Sequence, residues 1–339
     1  GLILPILLLL LSFVILARIG IGTLFLNVGY VRLVAGIATE SAEVVEQAEH
    51  LFDLVGHSSD LYQDAQRGIG FALFFQQERN GAVSAWKNVE PQDVYPLAVW
   101  LHSHREFDVV TDLLEATLDK YPNSVHRLDW WHGLVSGLSA LEQWEMVIEA
   151  AQQALVEYPS DAELLFSFGR TLYTRYQDVD SAERLIKQAI AEDEKFAEAY
   201  AWMGHMMSAE GRPAEAYDWY RKANEIKPSK NWRLLQANMA RVTDLSLAFT
   251  LYDKIAKDFP DYTDAYYELA WAYLLANEID LAIDAIEQAL NYAPTNGRYY
   301  YRAGEIIKQI EDPDQIIEIC QEIAEINPNN PLKSSEVCP

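Results

Sequence analysis

Cysteine is nearly missing from this chain: two occur in 339 residues, Cys320 and Cys338. Two thiols at that spacing exclude a structural zinc site and a disulfide framework. Cys320 falls on the apolar side of a predicted helix, and Cys338 lies in a Pro/Asn/Ser-rich tail. The pair fits a buried thiol plus a free tail thiol, or one tail-pinning disulfide, which requires an oxidising compartment. Basic residues are scarce too. The 26 Lys and Arg face 51 Asp and Glu, a formal charge of -25, and that field repels polyphosphates, so no nucleic acid is expected as a partner. The acidity itself reads as a solvated surface or as a match for a basic partner. Catalytic signatures are absent as well: no glycine-rich phosphate loop after a strand, no nucleophile elbow and no HExxH. His102 and His104 stand two apart and point to different sides of a helix, a poor chelate. The run Glu192, Asp193, Glu194 falls in a helix-ending turn, and the RGIGF stretch at 67–71 reads as close helix packing. No catalytic set, cofactor or metal is expected, and the chain reads as no enzyme.

What is abundant is apolar surface. Half the residues are apolar and 12% aromatic, ample for a packed helical core. Residues 1–17, GLILPILLLLLSFVILA, carry no charge, and after Arg18 the apolar character continues to Arg32. At about 1.5 Å per residue a helix over the first 26 or so residues spans a hydrocarbon core, with Arg18 snorkelling to one face. Residues 1–28 therefore read as a transmembrane helix or as the core helix of a filament. The start at Gly1 and the lack of a preceding Lys or Arg suggest a segment removed upstream, as in pilin-like subunits. The glutamate near the start of many pilin helices is missing, however, and Pro5 stands there. A single N-terminal anchor most often leaves its C-terminal domain outside the cytoplasm, which places the remainder extracytoplasmically, at the cell surface or beyond.

Length alone suggests two or three domains, but internal repetition argues for a solenoid. In residues 197–228 Tyr200, Met203 and Met207 bracket the small Gly204 at helical spacing; Glu210-Gly211-Arg212-Pro213 interrupts; Ala216, Tyr220 and Ala223 restart a second face; and Pro228 ends it. The template returns at 263–294 with Leu269, Ala270, Ala282 and Pro294, and at 297–328 with Ala303, Gly304, Ile316 and Pro328. Looser copies cover 229–260, 162–196, 128–159, 91–122 and 61–90. Gly36 and Ala48 stand 34 residues before Gly70 and Ala82, which predicts a degenerate ninth copy. In period and in the placement of small residues these units resemble the tetratricopeptide repeat family. The resemblance implies an all-α, right-handed solenoid of eight to nine hairpins over residues 29–328, ahead of a tail at 329–339.

In that family the first helix of each hairpin lines a concave groove that holds partner peptides. Carried over, the groove residues are Tyr95, His102, His132, Ser136, Phe166, Arg170, Tyr173, His205, Arg233, Tyr267, Trp271, Tyr301 and Glu305. Such rings either stack on a partner or pack across neighbouring hairpins. The lysines of a carboxylate clamp for chaperone tails are missing. The Ile316 to Ile326 face has no helix after it, so either the tail or another subunit must shield it. The implied function is a non-catalytic, bacterial-type membrane scaffold that assembles protein partners. The alternatives are a self-assembling structural subunit of an extracellular filament, built on copies of itself, and an accessory subunit of a membrane enzyme complex.

Overall fold

The computed structural model describes residues 21–55, 60–334 and 337–338; the apolar run at 1–17 and Arg18 lie outside them. Among the described residues there are eighteen α-helices and no strand. They follow one another as nine consecutive pairs: α1 (Ile21–Thr39) and α2 (Ala42–Asp53), α3 (Tyr62–Phe75) and α4 (Arg79–Trp86), α5 (Pro91–Ser103) and α6 (Phe107–Lys120), α7 (Arg127–Ala140) and α8 (Trp144–Glu157), α9 (Ala162–Thr171) and α10 (Val179–Glu192), α11 (Ala197–Ala209) and α12 (Pro213–Ile226), α13 (Lys230–Thr243) and α14 (Leu245–Asp258), α15 (Thr263–Leu275) and α16 (Ile279–Tyr292), α17 (Gly297–Ile307) and α18 (Pro313–Ile326). The described residues form two compact units, divided between residues 182 and 183.

The reason each pair closes is written in its small residues. Gly204 of α11 lies so near the Tyr220 ring of α12 that an added Cβ would sit 2.8 Å from it, and Gly36 of α1 meets Val45 of α2 at 2.7 Å. Ala48, Ala82, Ala216 and Ala282, one per hairpin, are fully buried opposite. Any larger side chain at these crossings would hold the helices apart and forfeit dispersion contacts along both.

The turn between the two helices recurs in most of the hairpins. Gln77, Arg105, Glu142, Gly211 and Asn277 all have positive φ, between 58° and 73°. The residue after each donates its N–H back to the carbonyl five positions earlier, as in Glu78 to Leu73 at 2.8 Å and Arg212 to Met207 at 2.9 Å. This is a Schellman closure, which satisfies the last carbonyls of the first helix. Only Gly211 adopts that conformation without a Cβ penalty; the other four accept a cost of roughly 1 kcal/mol each.

Two of the hairpins that depart from this turn differ from the template in length. The small positions of the two helices are twelve residues apart in Gly70/Ala82, Ala98/Val110 and Gly204/Ala216, thirteen in Gly169/Ala182 and eleven in Ala237/Ala248. The extra residue after α9 is absorbed by a π-turn at Leu172–Tyr176, the usual way a helix takes up an insertion. The missing residue after α13 removes the left-handed position. Asp244 ends α13 and also caps α14, its side chain accepting from the Leu247 N–H at 3.0 Å.

At the first unit's start, α1 is one continuous helix through residue 28. Its Leu26, Tyr30 and Leu33 are core residues, with the Phe52 ring against Tyr30 at 4.9 Å. The Tyr30 hydroxyl donates to the Asp64 carbonyl one period later, at 2.7 Å. At the other end, Cys320 and Cys338 are joined in a disulfide. A short 3-10 turn, Pro331–Ser334, brings Leu332 into the core, 3.3 Å from where a Cβ on Gly304 would stand. Asn327 donates to the Pro294 carbonyl at 2.8 Å and anchors the strap. Of the two ways to shield the last hairpin, the tail itself does so.

Candidate partner-binding groove

In the first unit, α5 and α7 lie side by side as the first helices of adjacent hairpins. Between them, bounded by Val110 of α6 and Glu163 of α9, is a groove of about 310 Å³. Tyr95, Val99, His102, His132 and Ser136 line it, so four of the expected residues converge there. Tyr95 and Val99 are 40% and 50% exposed, and together they leave an apolar wall open to a partner. His102 Nε2 and Ser136 Oγ meet at 3.1 Å across the floor.

His132 is held by the start of the next hairpin. Its Nε2 lies 2.9 Å from Asp161 Oδ1, which also caps α9 by accepting from the Leu164 N–H, and its Nδ1 lies 3.7 Å from Glu163. Burial opposes the charged imidazole, but the bond to Asp161 and the charges of Asp161, Glu163 and Asp129 outweigh it and raise the His132 pKa. Asp161 is desolvated as well, yet the His132 and backbone bonds hold its pKa below the usual range. One wall of the groove is thus a fixed imidazole–carboxylate pair, the other aromatic and aliphatic.

Further along α9, Phe166 is buried in the core and the Arg170 guanidinium lies 5.6 Å from its ring. Desolvation lowers the Arg170 pKa. Tyr173 falls in the π-turn, half-buried.

The second unit holds the other expected residues in separate settings. His205 Nδ1 and the Tyr220 hydroxyl stand 2.9 Å apart; part of the ring meets solvent, but the packed side is desolvated and its pKa falls. Arg233 pairs with Asp258 at 2.8 Å and lines a cavity of about 240 Å³ with Arg221, Gln236 and Lys254. Tyr267 is buried, with Arg298 3.9 Å over its ring and Arg302 at 5.0 Å. Arg302 also covers Trp271 at 3.8 Å and donates to the Tyr267 hydroxyl and to Glu305, each at 3.0 Å. Tyr301 is 69% exposed.

Aromatic spacing pointed to Tyr267, Trp271 and Tyr301 but missed the charges gathered around Tyr267 and Trp271. Arg298 meets Asp264 at 3.4 Å and Glu268 at 3.3 Å, and Arg241 meets Glu268 at 3.6 Å. Asp264 and Arg298 stand one 34-residue period apart, so opposite charges at repeat-equivalent positions were the available signal. Among the described residues no three His, Cys, Asp or Glu side chains group to hold a metal.

Tetratricopeptide repeat models match residues 197–230 and 243–303. The chain carries tetratricopeptide repeats. The repeats outside those two stretches are of the same hairpin form, with small residues at the same crossings. The C-terminal part of a tetratricopeptide repeat-containing protein from Cytophaga hutchinsonii is similar in fold, with TM-score 0.57 at 15% identity over 70% of this chain and 96% of that one. A tetratricopeptide repeat protein from Parabacteroides merdae is similar with TM-score 0.52 at 14% identity, over 70% and 93%. Comparison with curated proteins gives no match. Tetratricopeptide hairpins present surfaces for protein partners and generally do no chemistry of their own.

Proposed function

We propose that this tetratricopeptide protein is a non-catalytic scaffold, anchored in a membrane through residues 1–28, whose first-helix groove recruits a protein partner. The observation that carries the reading is the groove between α5 and α7, where exposed Tyr95 and Val99 face the His132–Asp161 pair. An exposed apolar wall beside fixed polar groups suits an extended peptide: side chains bury against the wall while backbone amides bond to the histidines and Glu163. A photo-crosslinker placed at Tyr95 in the detergent-solubilised full chain should capture a defined partner that the same probe at Met146, 42% exposed on α8, does not. Equal capture at both positions would defeat the groove assignment.

The Cys320–Cys338 disulfide supports an extracytoplasmic solenoid, because reducing compartments keep such thiols open. The tail strap weighs against a filament built through the solenoid's end: Leu332 already occupies the apolar site that a neighbouring copy would need. A single monomer-detergent complex on sizing supports the anchor, and detergent-resistant large particles support the filament.

A further inference from the structure

Helix α1 has two apolar faces. One turns Leu26, Tyr30 and Leu33 into the core. The other carries Leu24, Val28 and Val31, exposed to 59, 38 and 62%, at spacings of four and three that put them on one stripe. The terminal hairpin of a repeat array ordinarily presents a polar outer face, and three bare aliphatic side chains in line violate that rule.

We infer that a lipid bilayer covers this stripe, so that the first hairpin is seated in the membrane interface and its tilt is set there. The inference rests on the anchor reading above. The apolar sequence 1–17 stands three residues, Arg18-Ile19-Gly20, ahead of α1, so an anchor there puts the bilayer about two turns from Leu24. The stripe runs about 10 Å along the axis from Leu24 to Val31, and interfacial helices bury their apolar faces about 5–10 Å deep. The first charge on α1 is Arg32, directly after the stripe and hydrogen-bonded to Gln47 at 3.2 Å, where a guanidinium meets lipid phosphates. Glu40, Glu43 and Glu46 lie at the opposite end of the hairpin.

The depth is bounded by α2, which runs back beside α1. Phe52 packs on Gly29, so the exposed carboxylate of Asp53 stands near the level of Val28. A carboxylate is not carried into hydrocarbon when it can remain hydrated. Leu24 therefore lies at the hydrocarbon edge, and Val28 and Val31 lie among the headgroups. Leu54, 47% exposed at the end of α2, lies at the same end of the hairpin.

The test uses the full chain in vesicles of phosphatidylcholine and phosphatidylglycerol. Because the two native cysteines are bonded to each other, Leu24→Cys, Val28→Cys, Val31→Cys and an Asp218→Cys control each take one environment-sensitive fluorophore. The three stripe positions should emit at shorter wavelength than position 218 and be quenched by nitroxide-bearing lipids, with the deepest nitroxide most effective at position 24. If the chain floats with vesicles while positions 28 and 31 are quenched by aqueous iodide as fully as 218, interfacial seating fails and the anchor stands. Labels shielded from iodide and nitroxide alike mean that a second copy covers the stripe, and the inference is overturned. A chain that does not float with vesicles ends both readings.

Discussion

The guanidinium carbon of Arg302 lies 3.8 Å above the Trp271 ring, and the same group donates to the Tyr267 hydroxyl at 3.0 Å. One side chain of α17 thereby holds two rings of α15, one hairpin earlier. Arg302→Ala should destabilise the second unit by about 1–2 kcal/mol, through the lost stacking and the orphaned Tyr267 hydroxyl. Arg302→Lys should recover only part of this, because an ammonium cannot stack flat on an indole. Urea unfolding followed by Trp fluorescence reads both values.

Gly204 is the tightest crossing of α11 and α12. Gly204→Trp would drive a ring into Tyr220 and should cost at least about 2–3 kcal/mol, seen as a lower denaturant midpoint. Gly304→Trp should cost less, because the nearest group is the Leu332 side chain on the tail strap.

The Cys320–Cys338 bond closes a loop of 18 residues. Opening such a loop should lower stability by roughly 3 kcal/mol. Treatment with a thiol reductant should lower the melting temperature of the native chain and leave that of Cys338→Ser unchanged.

Glu287 of α16 is pressed against Glu322 and Asp284, and desolvation with these like charges pushes its pKa up to about 7. The folded state then binds a proton that the unfolded chain, with an ordinary carboxyl, releases near pH 4.5. Stability should therefore fall as pH rises from about 4.5 to about 7. Glu287→Gln should abolish that slope, raising the melting temperature at pH 8 and hardly altering it at pH 4.

His132 of the groove and His205 of the second unit should titrate on opposite sides of 6.5, His132 above it and His205 below. The stability contributed by His132 is complete below the unfolded value and is lost as pH rises through its folded one. His205 behaves inversely, its contribution present above the unfolded value and lost as pH falls. Two-dimensional NMR of the imidazole resonances checks the order.

The repeat register was legible because Gly36, Gly70 and Gly204 each precede a buried alanine by twelve positions. A helix crossing tolerates so few side-chain types that the constraint shows in one sequence. The groove was legible only in part. First-helix positions marked Tyr95, His102, His132 and Ser136, and these do meet in one place. The same rule also selected Phe166 and Tyr267, which are core residues, because the concave and packed faces of a first helix differ by one residue of rotation, about 100°. The choice between a free Cys338 thiol and a bonded one was open, since chain distance says nothing of where a proline-rich tail turns.

The sequence alone determined that this protein is a run of α-hairpins with an apolar entry, since a 34-residue period of small and large residues permits no other burial. Tertiary structure alone decided that the tail closes the last hairpin, that Arg302 and Glu268 organise the Tyr267 cluster, and that one inserted residue becomes a π-turn. Those outcomes depend on which groups meet across hairpins, and such meetings are fixed by the geometry of stacking, which no single stretch of chain encodes.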